Sequence, residues 1–213
     1  MKIFLIIIFL FPAFEFHAIP TKNKIEISLE SATLFKECGL EGVLDFKIFE
    51  RSMTGFKKYS PKKSLITIID YTLPSDQKRF FVIDLKKKCL LQQTWVAHGK
   101  KSGLIMATDF SNKLQSYQSS PGFYKVGSII TSPKHGPAIQ LIGLEKGLND
   151  NAQKREIIMH GAWYVGEEFV KKNGRCGRSH GCPAVAPELI SVISPILADG
   201  SLLYIHIKSG KEA

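Results

Sequence analysis

The residues with the clearest chemical potential lie between positions 160 and 182. His160 directly follows the apolar segment 157–159, which places it at the end of a strand. Cys182 lies between Gly181 and Pro183, whose small or rigid side chains leave its thiol open to approach. A nearby imidazole can take the proton of a thiol, and the thiolate that results is a nucleophile toward acyl groups. The two residues together indicate acyl transfer.

Groups around this pair suit the same chemistry. Arg175 and Arg178 precede the cysteine, and we expect their charges to favour the thiolate and to lower a thiol pKa that is about 8.5 when free. The successive backbone N–H groups of Gly181 and Cys182 are expected to hold the oxyanion of a tetrahedral intermediate.

Two other interpretations fit the spacing. A zinc-dependent peptidase would take its ligands from His160, Cys176, His180 and Cys182. This reading is less favoured because the set contains no carboxylate and no acidic residue suited to act as a base lies beside it. The other interpretation is that Cys182 is an unreactive core residue, which is the commoner role of a buried thiol. The spacing alone leaves all three interpretations open.

The motif around the cysteine resembles that of a known family. The sequence Ser179-His180-Gly181-Cys182 follows His160 with 18 residues between His160 and Ser179. This arrangement is similar to the signature of the L,D-transpeptidase family with a YkuD-like catalytic domain, in its murein L,D-transpeptidase branch. Supporting similarities occur in segments 96–100, 120–124, 134–136 and 143–151, and the resemblance covers roughly residues 39–207.

The resemblance implies a mainly β (α+β) catalytic domain, built as a β-sandwich or mixed sheet. Cys182 would attack the L,D peptide bond of a peptidoglycan stem peptide and form an acyl-enzyme, with His160 as its base. An amine of a neighbouring stem, or water, would then resolve that intermediate. Four residues would support the loop and the oxyanion, namely Gly161, Ser179, His180 and Gly181. The resemblance implies peptidoglycan stem peptides as partners and requires no cofactor or metal.

The chain departs from the family pattern just after the cysteine. Many members carry an arginine there that suits a substrate carboxylate, whereas this chain has Pro183-Ala184-Val185. Arg178 is the substitute candidate for substrate binding, and a solvated surface charge is an equally good reading of it. Tyr124 is a second substrate-binding candidate, although aromatic residues in β-rich segments more often lie in the core.

The rest of the sequence predicts a β-rich scaffold with two helices, which positions the candidate site residues. Apolar residues at helical spacing, Phe46, Phe49, Met53 and Phe56, predict an amphipathic helix that ends before Pro61. A later helix is predicted from Pro187, which suits a first helical position, with a kink at Pro195. Its apolar face comprises Leu189, Ile190, Ile193, Ile196 and Leu197. Strands are predicted at 65–70, 80–85, 90–97, 123–131, 138–144, 157–159 and 202–207.

The start of the chain predicts export. Lys2 precedes an apolar run at 3–11, which is too short to cross a bilayer and is typical of a secretory signal. We therefore divide the chain into a signal peptide at 1–18, an N-terminal arm at 19–38 and a catalytic domain at 39–213. The expected location is the periplasm or cell wall, with no stable membrane span.

The composition narrows the classes of function. The chain has 213 residues, 44% of them hydrophobic, which excludes a disordered protein. Its net charge of +10 favours an anionic partner, and electrostatic association with the anionic cell wall fits a secreted enzyme. Nucleic-acid binding is disfavoured by the export signal and by the lack of a recognition motif. The four cysteines are too few for a disulfide scaffold, although Cys38 and Cys89 are candidates for one bridge. We expect a monomer, and a non-catalytic wall-binding module remains an alternative to the enzyme.

Overall fold

A computed structural model of the chain describes residues 22–208, and the predicted signal peptide at 1–18 lies outside them. The four helices are α1 (Lys22–Glu37), α2 (Phe46–Tyr59), α3 (Glu167–Asn173) and α4 (Pro187–Leu197). The strands are β1 (Leu65–Asp70), β2 (Phe80–Asp84), β3 (Cys89–Thr94), β4 (Gly122–Ser132), β5 (Gly136–Gly143), β6 (Ile158–Gly161), β7 (Ala184–Val185) and β8 (Leu202–His206). The predicted mainly β class is confirmed.

The strands form one mixed sheet in the order β3-β2-β1-β8-β4-β5-β6-β7. The pairs β1–β8 and β6–β7 are parallel, and the other neighbouring pairs are antiparallel. The long segment between β3 and β4, called here the 95–121 loop, has no regular strand but bridges Ala97 to Ala184 and Gly99 to Ser179. It therefore covers the β7 edge of the sheet, where the candidate site lies.

Both faces of the central strands are buried. Side chains alternate along each strand, so neighbouring residues enter different cores. One core contains Ile69, Phe80, Val82, Tyr124, Leu203 and Ile205, and the other contains Ile66, Ile68, Phe81, Ile83, Phe123 and Tyr204. Helix α4 packs on the first core, and α1 and α2 cover the second. This sandwiching leaves the strand ends as the places where polar side chains reach the surface.

Helix α2 confirms the predicted amphipathic helix. It begins at Phe46 because the side chain of Asp45 accepts a hydrogen bond from the Lys47 backbone N–H at 2.7 Å. Gly55 brings the helix close to β4, since a Cβ atom at this position would lie 2.1 Å from the ring of Phe123.

Three elements differ from the sequence predictions. Residues 22–37 of the predicted N-terminal arm form helix α1, which packs on α2 through Phe35, 5.4 Å from the ring of Phe46 and 5.6 Å from that of Phe49. Helix α3 and strand β7 were not predicted, and the two residues of β7 are too few to show an alternating pattern.

The late helix is confirmed as α4, with Pro187 as its first residue. Ile190, Ile193 and Leu197 are buried as expected, but Ile196 is 39% exposed and faces away from the core. Across residues 22–208, every helix is too short or too polar to cross a lipid bilayer.

The close contact at Gly55 predicts sensitivity to one added methyl group. Gly55→Ala should lower the free energy of unfolding by about 1–3 kcal/mol, because the methyl group overlaps Phe123. Alanine's better helix propensity, about 1 kcal/mol, offsets only part of this loss. Urea denaturation of the purified protein measures the change. Thr54→Ala, on the exposed side of the same helix, should be nearly neutral. Equal stability of the two variants would contradict the close packing of α2 on β4.

Candidate active site

Neighbouring strands place His160 and Cys182. His160 lies in β6, directly opposite Ala184 of β7 in a parallel pair. Cys182 precedes Ala184 by two residues, so it lies beside the start of β6 rather than at a distant point of the fold. The sheet therefore brings together the two residues that the sequence analysis selected as nucleophile and base.

A cavity of about 630 Å³ opens onto Cys182. Its walls come from the end of β4, the turn between β4 and β5, and the segment that leads into β6. The lining residues are Ile130, Thr131, Ser132, Pro133, Lys134, His135, Gln140, Leu141, Gln153, Glu156, Ile157, Ile158 and Cys182. Cys182 is 9% exposed and is one of the residues that line the cavity.

His160 is held in a defined tautomer. Its Nδ1 lies 2.9 Å from the carbonyl oxygen of Gly161, and because a carbonyl only accepts, Nδ1 carries the proton. Nε2 is then the acceptor. The side chain is 1% exposed, and burial lowers its pKa to about 4, with the nearby charge of Lys134 acting in the same direction. His160 is therefore a neutral imidazole near pH 7 with one nitrogen ready to accept a proton.

A second histidine covers His160. The ring of His135, in the turn between β4 and β5, stacks on the ring of His160 with centroids 3.8 Å apart and planes 20° apart. The pKa of His135 is also lowered, first by burial and then by Lys134 and His180. Stacking of two imidazoles disfavours charge on both, so this contact keeps His160 neutral and fixes its ring plane.

The thiol of Cys182 is protonated at rest. Its Sγ donates to the carbonyl oxygen of Glu156 at 3.6 Å, and none of the hydrogen bonds among residues 22–208 joins it to His160. Burial raises the pKa of Cys182, and the Glu156 carboxylate adds to this, whereas the Ile158 N–H and the charge of Arg155 lower it. The expected lowering of the thiol pKa below its ordinary value is therefore wrong for the resting structure.

The arginines expected to favour the thiolate are engaged elsewhere. Arg175 donates to the carbonyl of Cys176 at 2.9 Å, and Arg178 donates to the carbonyls of Lys100 and Gly103 at 3.1 and 3.3 Å. Arg178 thus joins the 95–121 loop to residues 177–183, called here the cysteine loop. Its substrate-binding role stays a prediction that these contacts do not favour.

Arg155 is the residue that sequence reasoning missed. Its guanidinium donates to the carbonyls of Ser111 and Gln118 at 2.7 and 2.5 Å, and to the hydroxyls of Ser116 and Ser120. It thus joins the 95–121 loop to the segment before β6. The sequence signal for Arg155 was its position two residues before the predicted strand at 157–159. Basic residues at strand starts are too common for this position to have identified it as a site residue.

Arg155 and the 95–121 loop also press against the residue before the nucleophile. Gly181 has φ of +125°, a conformation that favours glycine. A Cβ atom there would lie 2.8 Å from the Gln118 carbonyl and 3.1 Å from Nη2 of Arg155. The cysteine loop therefore adopts its sharp turn against a surface that Arg155 holds in place.

Ser179 closes the cysteine loop from inside. Its hydroxyl donates to the carbonyl of Cys182 at 2.6 Å and accepts from the N–H of Gly181 at 3.0 Å. These contacts support the predicted loop role of Ser179. The Gly181 N–H is engaged in the resting loop, so its oxyanion role stays a prediction.

The remaining predicted site residues lie apart from the thiol. His180 is exposed, and its Nε2 accepts from the ammonium of Lys100 at 3.0 Å. Tyr124 is 0% exposed, and its hydroxyl donates to the carbonyl of Ser120 at 2.9 Å. A side chain with no exposed surface does not fit the predicted contact with substrate, and Tyr124 instead packs in the core below the site.

A buried polar network supports the start of the 95–121 loop. Nε2 of His98 donates to the Gly103 carbonyl at 3.2 Å, so its Nδ1 accepts from the guanidinium of Arg79 at 2.7 Å. Arg79 also donates to the carbonyl of Val96 at 2.9 Å. The backbone carbonyl of His98 accepts from the Ser179 N–H at 2.9 Å, which connects the network to the cysteine loop.

The zinc interpretation lacks a ligand set in the described part of the chain. Cys176 is buried in a separate cluster with Ala97 and Val165, where its thiol donates to the carbonyl of Ser75 at 3.0 Å. Within residues 22–208, no three histidine, cysteine or acidic side chains are grouped so that they could hold a metal ion. All four cysteines are free thiols, including the candidate pair Cys38 and Cys89.

The buried neutral histidines predict a loss of stability in acid. The pKa values of His98 and His160 are lowered to about 4 by burial, whereas a histidine in the unfolded chain titrates near 6.5. Below pH 6.5 the unfolded state therefore binds more protons, and the free energy of unfolding falls as the pH drops toward 4.

Urea unfolding at pH 7 and pH 5 measures this loss. It should reach up to about 2 kcal/mol for each histidine. His98→Gln and His160→Gln should each reduce the difference between the two pH values by more than His180→Gln, because His180 is exposed although its pKa is also lowered. The same difference in all three variants would contradict the assignment.

The position of Arg155 predicts a change in thiol reactivity. Arg155→Gln should raise the midpoint of the pH profile for alkylation of Cys182 by iodoacetamide by about one pH unit, since it removes a cation whose charge lowers the thiol pKa. Arg155→Lys keeps the charge and should retain most of the wild-type midpoint. Mass analysis of the Cys182 peptide measures the rate, and circular dichroism checks the fold. An unchanged midpoint in folded Arg155→Gln, or the same rise in Arg178→Gln, would contradict the role of Arg155.

Several solved structures are similar to the chain at low sequence identity. No curated protein matches the chain. One of the solved structures is an L,D-transpeptidase from Mycobacterium smegmatis, with 12% identity and a TM-score of 0.42 over 68% of this chain and 59% of that protein. Another is an L,D-transpeptidase from Stackebrandtia nassauensis, with 14% identity and a TM-score of 0.40 over 89% of this chain and 93% of that protein. L,D-transpeptidase 3 from Mycobacterium tuberculosis also matches, with 13% identity and a TM-score of 0.42 over 69% of this chain and 62% of that protein. The chain thus spans about three fifths of the length of the two mycobacterial proteins.

The family match is the finding that decides membership. Residues 41–206, most of the chain and all of the candidate site, match the family described as L,D-transpeptidase catalytic domain. The matched range begins before α2 and ends at the last residue of β8, so it contains the whole sheet. The chain belongs to the L,D-transpeptidase catalytic domain family.

Proposed function

We propose that this protein is an exported cysteine acyltransferase that acts on peptidoglycan stem peptides. Cys182 forms an acyl-enzyme at the L,D peptide bond and passes the acyl group to an amine, which cross-links two stems, or to water. The observation that carries the proposal is the buried, neutral His160, whose Nδ1 is fixed by Gly161 so that Nε2 is the acceptor, next to a thiol on the wall of an open cavity.

The first chemical step is transfer of the thiol proton. Sγ of Cys182 leaves the Glu156 carbonyl by rotation about its side-chain bond and donates its proton to Nε2 of His160. Because the thiol pKa is raised and the imidazole pKa is lowered, the resting pair is neutral rather than an ion pair. The thiolate therefore forms as it attacks, once substrate has filled the cavity and displaced water.

The acyl-enzyme forms by exchange of one bond for another. The sulfur bonds to the carbonyl carbon between the L-centre of the diamino acid and the terminal D-alanine, and the oxyanion accepts hydrogen bonds from backbone N–H groups of the cysteine loop. As the C–N bond breaks, the imidazolium of His160 gives its proton to the leaving amine. D-Alanine departs and a thioester remains on Cys182.

Resolution of the thioester reverses the proton transfers. The acceptor amine attacks the thioester carbonyl and loses a proton to Nε2 of His160, and the C–S bond breaks as the new amide forms. The leaving thiolate recovers its proton from the imidazolium. Water in place of the amine gives a carboxylic acid, so the same residues support an L,D-carboxypeptidase reaction.

Export is part of this proposal. The predicted signal at 1–18 and the net charge of +10 support a protein that leaves the cytoplasm and is retained near an anionic wall. Membership of the L,D-transpeptidase catalytic domain family supports a peptidoglycan substrate, which lies outside the cytoplasm. The periplasm or cell wall is accordingly the proposed place of action.

Product analysis on a defined muropeptide tests the reaction. Wild-type protein incubated with a disaccharide-tetrapeptide should release D-alanine and yield a dimer or a disaccharide-tripeptide, as measured by mass spectrometry. Cys182→Ala should reduce this release by about 10³-fold or more because it removes the nucleophile. Cys89→Ala, a free thiol of β3, is the matched control and should retain the activity.

Two outcomes would contradict the proposed function. One is D-alanine release by Cys182→Ala at the wild-type rate. The other is binding of wild-type protein to isolated wall with no turnover of the muropeptide, which would identify a non-catalytic wall-binding module.

A further inference from the structure

Three consecutive apolar side chains of the 95–121 loop are exposed to solvent. Leu104 is 54% exposed, Ile105 42% and Met106 39%. Across residues 22–208, the other exposed large apolar side chains stand singly in the sequence, as is normal on a protein surface. Three adjacent ones form a continuous apolar surface, called here the apolar tip.

The turn that carries the apolar tip is fixed at both ends. Ser102 and Ala107, which flank it, are 0% and 8% exposed. The backbone N–H of Thr108 donates to the carbonyl of Ser102 at 2.7 Å and so closes the turn. Gly103 has φ of +143°, and a Cβ atom there would overlap the carbonyl of Met106. The tip is therefore the outer side of a tight turn that requires glycine.

Buried groups hold the backbone of this turn from the protein side. Nε2 of the buried His98 donates to the carbonyl of Gly103 at 3.2 Å, and the backbone N–H of Ser75 donates to the carbonyl of Ile105 at 3.0 Å. The guanidinium of Arg178 donates to the same Gly103 carbonyl at 3.3 Å. A protrusion fixed in this way loses little conformational entropy when it binds a partner.

The apolar tip does not belong to the cavity of the candidate active site. Its three side chains are not among those that line the cavity with Cys182. Peptide segments bind in grooves or along sheet edges, whereas the tip is a protrusion. Protruding apolar side chains insert at the boundary between the headgroups and the acyl chains of a bilayer. The shape of the tip therefore favours a lipid surface.

Positive charge surrounds the apolar tip. The guanidinium of Arg178 lies against Gly103, the residue before the tip, and Lys101 precedes Leu104 by a span of at most about 11 Å. The exposed charged residues on the segments that contact the turn, 74–78, 99–109 and 177–180, are Lys78, Lys100, Lys101 and Arg178 against Asp76 and Asp109. Basic groups beside an apolar protrusion attract anionic lipid headgroups, and a guanidinium can bind a phosphate with two donors.

We propose that the apolar tip and Arg178 dock this protein onto a bilayer that contains anionic phospholipid. Leu104, Ile105 and Met106 enter the outer part of the acyl region, and Arg178 binds a lipid phosphate. The net charge of +10 attracts the protein to the bilayer over a longer range. This inference does not depend on the acyltransferase reaction, since neither the tip nor lipid binding takes part in that reaction.

Docking would hold one edge of the active site against the membrane. The tip belongs to the 95–121 loop and Arg178 to the cysteine loop, so both loops would face the lipid. Salt screens attraction between charges but not the burial of apolar side chains. The protein would therefore stay on the membrane at a salt concentration that releases proteins bound by charge alone.

Sedimentation with vesicles of equal parts phosphatidylglycerol and phosphatidylcholine tests the apolar contact. The double variant Leu104→Ser/Ile105→Ser should lower the vesicle partition coefficient at least about 5-fold, because two side chains that enter the lipid become polar. Leu29→Ser/Ile129→Ser is the matched control, since these residues are 66% and 48% exposed elsewhere on the surface, and it should keep the wild-type coefficient. An equal loss in both double variants, or unchanged binding of the first, would overturn the proposal.

A charge variant tests the contribution of Arg178. Arg178→Gln should lower the partition coefficient about 3- to 5-fold at low salt. Lys86→Gln removes one exposed charge from the turn between β2 and β3 and should have less than half of this effect. At about 0.5 M salt, wild-type protein should still bind more tightly than Leu104→Ser/Ile105→Ser. Equal effects of the two charge variants, or equal binding at high salt, would overturn the proposal.

A local probe separates the tip from the predicted signal at 1–18, which all variants share. Leu104→Trp and Leu29→Trp each add one indole, and brominated phosphatidylglycerol quenches an indole that enters the acyl region. The added fluorescence should be quenched at position 104 and not at position 29. Circular dichroism checks the fold of every variant. No quenching at position 104, or equal quenching at both positions, would overturn the proposal. So would sedimentation showing a dimer that Leu104→Ser/Ile105→Ser dissociates, because the tip would then join two copies of the chain.

Discussion

The site depends on the pairing of two short strands. Strand β7 has two residues, and its parallel contact with β6 sets His160 opposite Ala184 and hence places Cys182 beside the start of β6. A parallel pair needs a long connection, and here α3 and the cysteine loop supply it. The 95–121 loop reinforces this edge because the Ala97 N–H donates to the Ala184 carbonyl at 2.9 Å and the Lys100 N–H to that of Ser179 at 2.7 Å. The geometry of nucleophile and base is thus set by backbone hydrogen bonds at a sheet edge that a loop covers.

Burial then determines the protonation states of that pair. It lowers the pKa of His160 and raises that of Cys182, so both groups are neutral at rest. A neutral pair avoids the high cost of an isolated charge in a buried site. The reactivity of Cys182 therefore depends on bound substrate. The cost of moving the thiol proton to His160 is offset only when negative charge develops on the oxygen of the attacked carbonyl. His135 and Arg155 adjust this balance from opposite sides, one by covering the base and the other by favouring the thiolate.

The sequence predicted the elements with strong periodicity and the residues with distinctive chemistry. Strand β1 has the predicted bounds, and α2 and α4 follow their apolar patterns, because burial of one face imposes a regular spacing. Helix α1 escaped prediction because it packs mainly through Phe35 near its end and shows no continuous apolar stripe. The role of Arg155 could not be predicted for another reason. It arises from hydrogen bonds to residues 35 to 44 positions away, which no local pattern records. Tyr124, by contrast, lies in the core, as is common for aromatic residues in β-rich segments.

The arginines explain why the site keeps its positive charge. Arg79, Arg155, Arg175 and Arg178 all donate to backbone carbonyls around the cysteine loop and the 95–121 loop. Carbonyl groups satisfy guanidinium donors without cancelling their charge, unlike carboxylates. The loops are therefore held by cations that keep their charge. The same bonds that stabilise the loop structure thus leave positive charge around the cysteine loop.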